Sequence, residues 1–157
     1  MIPALGPRGE GWVLAQGVLL VLVAAAGWSL GPDWSGPIRV GSVVLGIALL
    51  VSGAVLVVRG VVDLGHALTP LPRPRDDAEL VETGAYALVR HPIYGGLILM
   101  AFGWAIARAS VFAVVLAGLL TAFFHLKSRR EERWLETRYP GYAAYRAGTR
   151  RFVPWIG

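Results

Sequence analysis

Apolar positions in this chain fall into four blocks, not into the narrow stripes that mark surface helices. Residues 11–31 read GWVLAQGVLLVLVAAAGWSLG and residues 40–58 read VGSVVLGIALLVSGAVLVV. Two more follow, IYGGLILMAFGWAIA over 93–107 and ASVFAVVLAGLLTAFFHL over 109–126. A helix that is oily on every side belongs in a core or a membrane, and about 20 such residues cross a ~30 Å hydrocarbon layer. The third block is short for that task, so it is expected to tilt little, thin the bilayer or insert only in part. Arg108, Ala109 and Ser110 mark the turn before the fourth block, so these two helices should form a tight hairpin. The pattern predicts an all-α polytopic membrane protein with about four transmembrane helices and a cytoplasmic C-terminal helical tail. One membrane domain over residues 1–157 accommodates it.

The polar stretches divide the rest. A long connection occupies residues 59–90, where TPLPRPRDD has three prolines and mixed charge and should be extended and mobile. It gives way at AELVETGAY to a segment that can pack back. Beyond the fourth block, KSRREERWLETRYPGYAAYRAGTRRFVPWI keeps helical spacing until Pro140 ends or kinks it. Tyr142 and Tyr145 share a face if a short helix resumes after Gly141. This tail is expected to lie along the membrane surface, and no internal repeat is present.

Composition sharpens the reading. Of 157 residues 55% are hydrophobic and 16% charged, and the mean hydropathy of +0.58 is far above that of a soluble domain. Arg8 before the first block resembles the start of a secretory signal, but the apolar stretch is too long and lacks a small-residue cleavage site, so it reads as a retained span. There is no cysteine, hence no disulfide, thiolate nucleophile or thiolate-held metal. All but Arg39 and Arg108 of the 15 Lys and Arg lie on the side of the termini and the long connection. The positive-inside rule puts that side in the cytoplasm, in a bacterial inner (plasma) membrane. The net charge of +5 is then a topology signal and not a nucleic-acid groove. Transporters carry ionisable residues within their spans. Here the spans offer only Gln16 and His125, which weighs against a non-catalytic transporter or assembly factor.

Two polar groupings carry candidate chemistry. In RHPIYGG, Pro92 disfavours helical geometry at His91 and suits the first turn of a helix, so the third helix begins there with its amides toward the cytoplasmic boundary. Arg90, His91 and Tyr94 add donors, and Gly95 and Gly96 leave room for a ligand. The plain alternative is a snorkelling Arg90, a capping His91, an interfacial Tyr94 and glycines that pack helices closely. Arg129-Arg130-Glu131-Glu132 ends the fourth helix, and the hairpin brings it to the same membrane face. Its carboxylates suit a cationic amine and its arginines a carboxylate; the alternative is a solvated charge run.

Taken in order, LVETGAYALVRHPIYGG, EERWL, YPGYAAY and a closing FVP resemble the isoprenylcysteine carboxyl methyltransferase and phospholipid methyltransferase group of integral membrane enzymes. The likeness covers residues 80–154. It implies S-adenosylmethionine as methyl donor and carries His91, Pro92 and Tyr94, with Arg90 and Gly95 beside them, into the cofactor site. Glu131 and Glu132 fall at the family's paired acids, and Tyr142 and Tyr145 at its paired tyrosines. A Rossmann turn is not evident, since Gly9-Glu10-Gly11 precedes a span. The chain has Tyr139-Pro140 where many relatives carry Phe-Gly, and Lys127, Arg129 and Arg130 compete for the position of a catalytic arginine. Arg129 or Arg130 would orient a carboxylate acceptor, whereas an amine would need His91 or Glu131 as base. The expected reaction is carboxyl O-methylation of a lipophilic, isoprenoid-bearing acceptor, with N-methylation of an aminophospholipid as the second reading.

Overall fold

The computed structural model describes residues 6, 9–29, 36–69, 71 and 79–153. Within them the chain is helical: α1 Glu10–Ser29, α2 Gly36–Leu64, a 3-10 turn Gly65–Ala67, α3 Ala85–Leu88, α4 Pro92–Ala107, α5 Val111–Arg138 and α6 Tyr142–Gly148. The protein is an all-helical polytopic membrane protein. Three helices, in α1, α2 and α5, are long and apolar enough to cross a membrane. The 16-residue α4 spans about 24 Å, short of the ~30 Å core.

The apolar blocks understate two helices. α2 runs from Gly36 to Leu64, beyond the expected 40–58, because nothing in IRV or RGVVDL breaks it. α5 does not stop near residue 126 but continues through the charged run to Arg138, about 42 Å in all. Lys, Arg, Glu and Leu are strong helix formers, and Tyr139-Pro140 is the first stop signal. The proline-rich 70–78 segment, expected to be extended, lies outside the described residues apart from Leu71.

α2 packs on α4, α4 on α5, and α1 on both α4 and α5. The α2–α4 contact is glycine on glycine. Gly46, Gly53 and Gly60, seven residues apart, are the buried residues of α2. A Cβ on Gly53 would lie 2.5 Å from the Gly96 carbonyl oxygen, and one on Gly46 2.6 Å from that of Gly103. Small residues let backbones approach where lipid gives no hydrophobic drive. The outer face of α2, including Val44, Val51, Val55 and Val62, is exposed, as befits a lipid-facing surface.

At the far end of the bundle the last carbonyls of α1 find donors on the α4–α5 hairpin. Trp104 Nε1 donates to Ala24 O at 3.2 Å, Arg108 Nε to Gly27 O at 2.9 Å, and the buried Ser110 hydroxyl to Ala26 O at 3.0 Å. Ser110 also caps α5 by accepting from Ala113 N–H. The expected tight hairpin is present, its turn made by Ala109 with φ of 52°. With that end fixed, the inward stripe of α5 runs Ala113, Ala117, Leu120, Phe124, then Lys127 and Glu132. An apolar stripe thus turns charged where it reaches the opposite end.

Candidate active site

That charged end is assembled around the start of α4. His91 is the N-cap and Pro92 the first helical residue, as the RHP order predicts. The C-terminal segment lies against the residues just before it. Val89 forms a parallel bridge with Arg150, Arg90 N–H donates to Arg150 O at 2.8 Å, and His91 N–H donates to Arg151 O at 2.9 Å. The room left by Gly95 is taken by this strap, since a Cβ there would collide with the Phe152 carbonyl. Gly96 faces Gly53 in the same manner. Both glycines therefore admit backbone, and the ligand space expected beside them is filled by the chain itself.

Glu132 lies beneath the strap and is 2% exposed. Its Oε1 accepts from Arg90 Nε at 3.1 Å, His91 Nε2 at 3.2 Å and Arg151 Nε at 3.2 Å, and its Oε2 accepts from Arg151 Nη2 at 2.7 Å. Arg90 further donates to the carbonyls of Arg146 and Thr149. One carboxylate thus ties α4, α5 and the strap together, with its lone pairs committed to Arg90, His91 and Arg151.

Glu131, the next residue, points elsewhere. Its Oε2 accepts the Tyr94 hydroxyl at 3.0 Å and lies 3.8 Å from His91 Nδ1. His91 therefore stands between the two acids, with its ring stacked on Tyr94 at 5.4 Å between centroids. Tyr94 stacks in turn on Phe124 at 4.7 Å.

These groups border a cavity of about 290 Å³. Arg90, His91, Tyr94, Glu131, Tyr142 and Tyr145 all line it. Pro92, Gly95 and Glu132 do not, and act behind it as helix start, strap seat and ion-pair centre. Arg129 and Arg130 are also absent from the lining: Arg129 is exposed and Arg130 stacks over Trp134 at 4.8 Å. Lys127 takes the position inside, which the sequence left ambiguous among three basic residues. The rest of the lining includes the apolar Val61, Leu64, Ile93, Leu80 and Val81. The last two come from the AELVETGAY segment, which packs back as expected. It is held by Asp63, whose Oδ2 accepts Ala85 N–H at 2.7 Å beside Gly84 at φ 60°.

Three tyrosines close the polar side. Tyr145 donates to Tyr86 O at 2.7 Å, and Tyr142 meets Tyr145 edge to face at 5.8 Å. Burial, followed by the Glu131 charge for Tyr86 and the Glu132 charge for Tyr142, holds both phenols well above their usual range. Burial likewise pushes Tyr145 up to about 12. All three remain protonated donors at neutral pH. The Tyr142 hydroxyl is fully buried and has no hydrogen-bond partner among the described residues. A buried polar group left in this state is costly unless a ligand or water completes it.

A helical membrane bundle with a polar, tyrosine-rich cavity at one end now meets the family comparison. The model of the family described as phospholipid methyltransferase matches residues 42–141, well over half of the chain. The chain belongs to the phospholipid methyltransferase family. It is a membrane methyltransferase. The match takes in α2 to α5, with the RHPIY start and both glutamates, and ends at Gly141, just before the tyrosine pair. No curated protein matches the chain.

Three participants were hidden from motif reading. Gln16 appeared only as a polar exception in a span, Arg151 as one more basic tail residue, and Tyr86 as part of a loop. A signal existed for Lys127 alone, which is four residues before Glu131 and so shares its helix face.

Proposed function

We propose that this membrane methyltransferase uses S-adenosylmethionine to methylate a lipophilic acceptor, with a carboxylate oxygen as first choice of nucleophile. The observation that carries the reading is the two-sided cavity, polar around Glu131 and Tyr142 and apolar along Val61, Leu64 and Ile93. The unpartnered Tyr142 hydroxyl and the Glu131 carboxylate fit a polar, cationic donor, the acid suiting its ammonium or sulfonium charge. When bound, S-adenosylmethionine supplies a methyl carbon on positively charged sulfur, which keeps the electron pair of the broken bond.

The protein's own part is orientation and exclusion of water. Tyr94 fixes the Glu131 carboxylate by hydrogen bond, and its ring is fixed by His91 and Phe124. The strap is bonded across the start of α4 beside the polar end, through Arg90 and His91 N–H to the carbonyls of Arg150 and Arg151. A carboxylate acceptor is already ionised at neutral pH and needs no base. The family description favours a second reading, N-methylation of an aminophospholipid. In that case His91 or Glu131, both in the lining, would have to take the proton released by the amine.

The test is incubation of the purified protein with methyl-labelled donor and membrane lipid extract, followed by product mass and alkaline treatment. A labelled lipid whose label is lost as a methyl ester supports the first reading, and a stable label on an aminophospholipid supports the second. Absence of label from every lipid fraction, despite donor binding, contradicts the lipophilic-acceptor reading.

A further inference from the structure

We propose that the tyrosine rings of this cavity, led by the Tyr142 and Tyr145 pair, bind the positively charged sulfur of the methyl donor and so separate donor from demethylated product. The inference rests on the S-adenosylmethionine reading and assigns to that site the groups that tell a sulfonium from a thioether.

All five tyrosines of the chain line the cavity: Tyr86, Tyr94, Tyr139, Tyr142 and Tyr145. Among the described residues no phenylalanine or tryptophan does, although the helix packing uses Trp12, Phe123 and Phe124. Apolar filling alone would not sort the aromatic residues in this way. Tyrosine combines a ring face that attracts cations with a hydroxyl that can fix the ring in place. The hydroxyls do so here, that of Tyr145 donating to Tyr86 O at 2.7 Å and that of Tyr94 to Glu131 Oε2 at 3.0 Å.

The rings differ in what they already meet. Tyr94 is engaged, with His91 and Phe124 stacked on it and Lys127 Nζ 5.0 Å from its centre, so one cation already rests on a tyrosine of this cavity. Tyr142 and Tyr145 meet at 66° with their centres 5.8 Å apart, which makes a corner of two aromatic walls. The hydrogen bond from Tyr145 sets Tyr86 beside that corner. Glu131 supplies negative charge to the same lining, and after burial its charge is the largest influence on the Tyr86 phenol. Angled rings near an acid suit a methylated onium ion, which has no N–H to donate and is held by aromatic faces. A sulfonium is such an ion, and the thioether left after methyl transfer is not. The contact is therefore lost on transfer, which favours release of the product.

The experiment titrates the full-length protein in maltoside micelles with S-adenosylmethionine and with S-adenosylhomocysteine, and reads the ratio of the two affinities by calorimetry. Wild type should bind the sulfonium about fivefold to thirtyfold more tightly. Tyr142→Leu should cut that ratio by about threefold or more, whereas Tyr142→Phe, which keeps the ring, should weaken both ligands alike and leave the ratio unchanged. Tyr142 is 1% exposed, so should Tyr142→Leu not melt cooperatively, the half-buried Tyr145→Leu carries the same test. Equal wild-type affinity for the two ligands overturns the proposal and leaves the donor reading intact. A ratio that survives both leucine variants but collapses in Glu131→Gln overturns it too, because the acid alone then reads the charge. Parallel loss of both ligands in the leucine variants, at constant ratio, assigns the rings to the nucleoside and overturns it as well. A ratio lost already in Tyr142→Phe gives the discrimination to the hydroxyl and sinks the idea. Wild-type protein that binds neither ligand removes the donor reading and this one with it.

Discussion

Replacing Glu132 by alanine should loosen the whole charged end, although Glu132 itself does not line the cavity. The carboxylate is 3% exposed and faces Arg90, whose side chain is 9% exposed, His91 at 5%, and Arg151 at 16%. Removing one partner of a buried ion pair costs about 3–5 kcal/mol because the others stay buried without compensation. The lower end applies here, about 3 kcal/mol, since Arg151 can swing to solvent and Arg90 keeps the carbonyls of Arg146 and Thr149. Thermal melting of the detergent-solubilised protein gives the global effect. Hydrogen exchange gives the local one: the Arg90 and His91 amides donate to the strap carbonyls of Arg150 and Arg151, so their protection should fall. Glu131→Ala, which removes a half-buried carboxylate bonded to one tyrosine, should leave both amides protected. Equal protection of these amides in wild type and Glu132→Ala would refute the assignment of Glu132 as the ion-pair centre.

Three other outcomes follow from the same geometry. Gly53→Ala forces a methyl group against the Gly96 carbonyl and should cost about 1–3 kcal/mol in a melt, whereas Gly41→Ala, facing open space, should be silent. Alkaline titration should destabilise the fold: Tyr145 ionises near 10 when unfolded but only at about 12 when folded, so its stabilising contribution is complete below pH 10 and is lost as pH rises toward 12, with phenolate absorbance appearing late. On the cysteine-free background, single cysteines at Gly36 and Thr83 should be labelled from opposite sides, Thr83 from the cytoplasm, and labelling of both from one side contradicts the orientation read from the basic residues.

The bundle was legible because four long apolar blocks leave few alternatives, and Pro92 announced the start of α4. The length of α5 was less so, since the change from apolar to charged residues marks where the environment changes and not where hydrogen bonding stops. Within the site, the paired acids were visible but their division of labour was not. Adjacent helical residues point about 100° apart, so Glu131 enters the cavity while Glu132 turns under the strap. The same rotation separates Lys127 from Arg129 and Arg130, and fixing its phase requires knowing that Phe124 faces inward. Contacts between residues 89–91 and 150–151 join segments some 60 positions apart through backbone atoms, which leave no mark in side-chain pattern. Gly95 shows the consequence: its small size reads as space for a ligand until the strap is seen to occupy it.

The central claim is that the cavity bordered by Glu131 and Tyr142 holds the methyl donor. Calorimetric titration of the purified protein with S-adenosylhomocysteine, the demethylated product, tests it without needing the acceptor. The account predicts saturable binding to one site, weakened about twofold to tenfold by Tyr142→Phe, which removes one neutral hydrogen bond. Because this product retains the ammonium group, Glu131→Gln should weaken it further, by about tenfold to a hundredfold. Arg129→Ala, on the exposed face of α5, should bind as wild type does. Binding that is absent, or that is unaffected by both Tyr142→Phe and Glu131→Gln, would contradict the account.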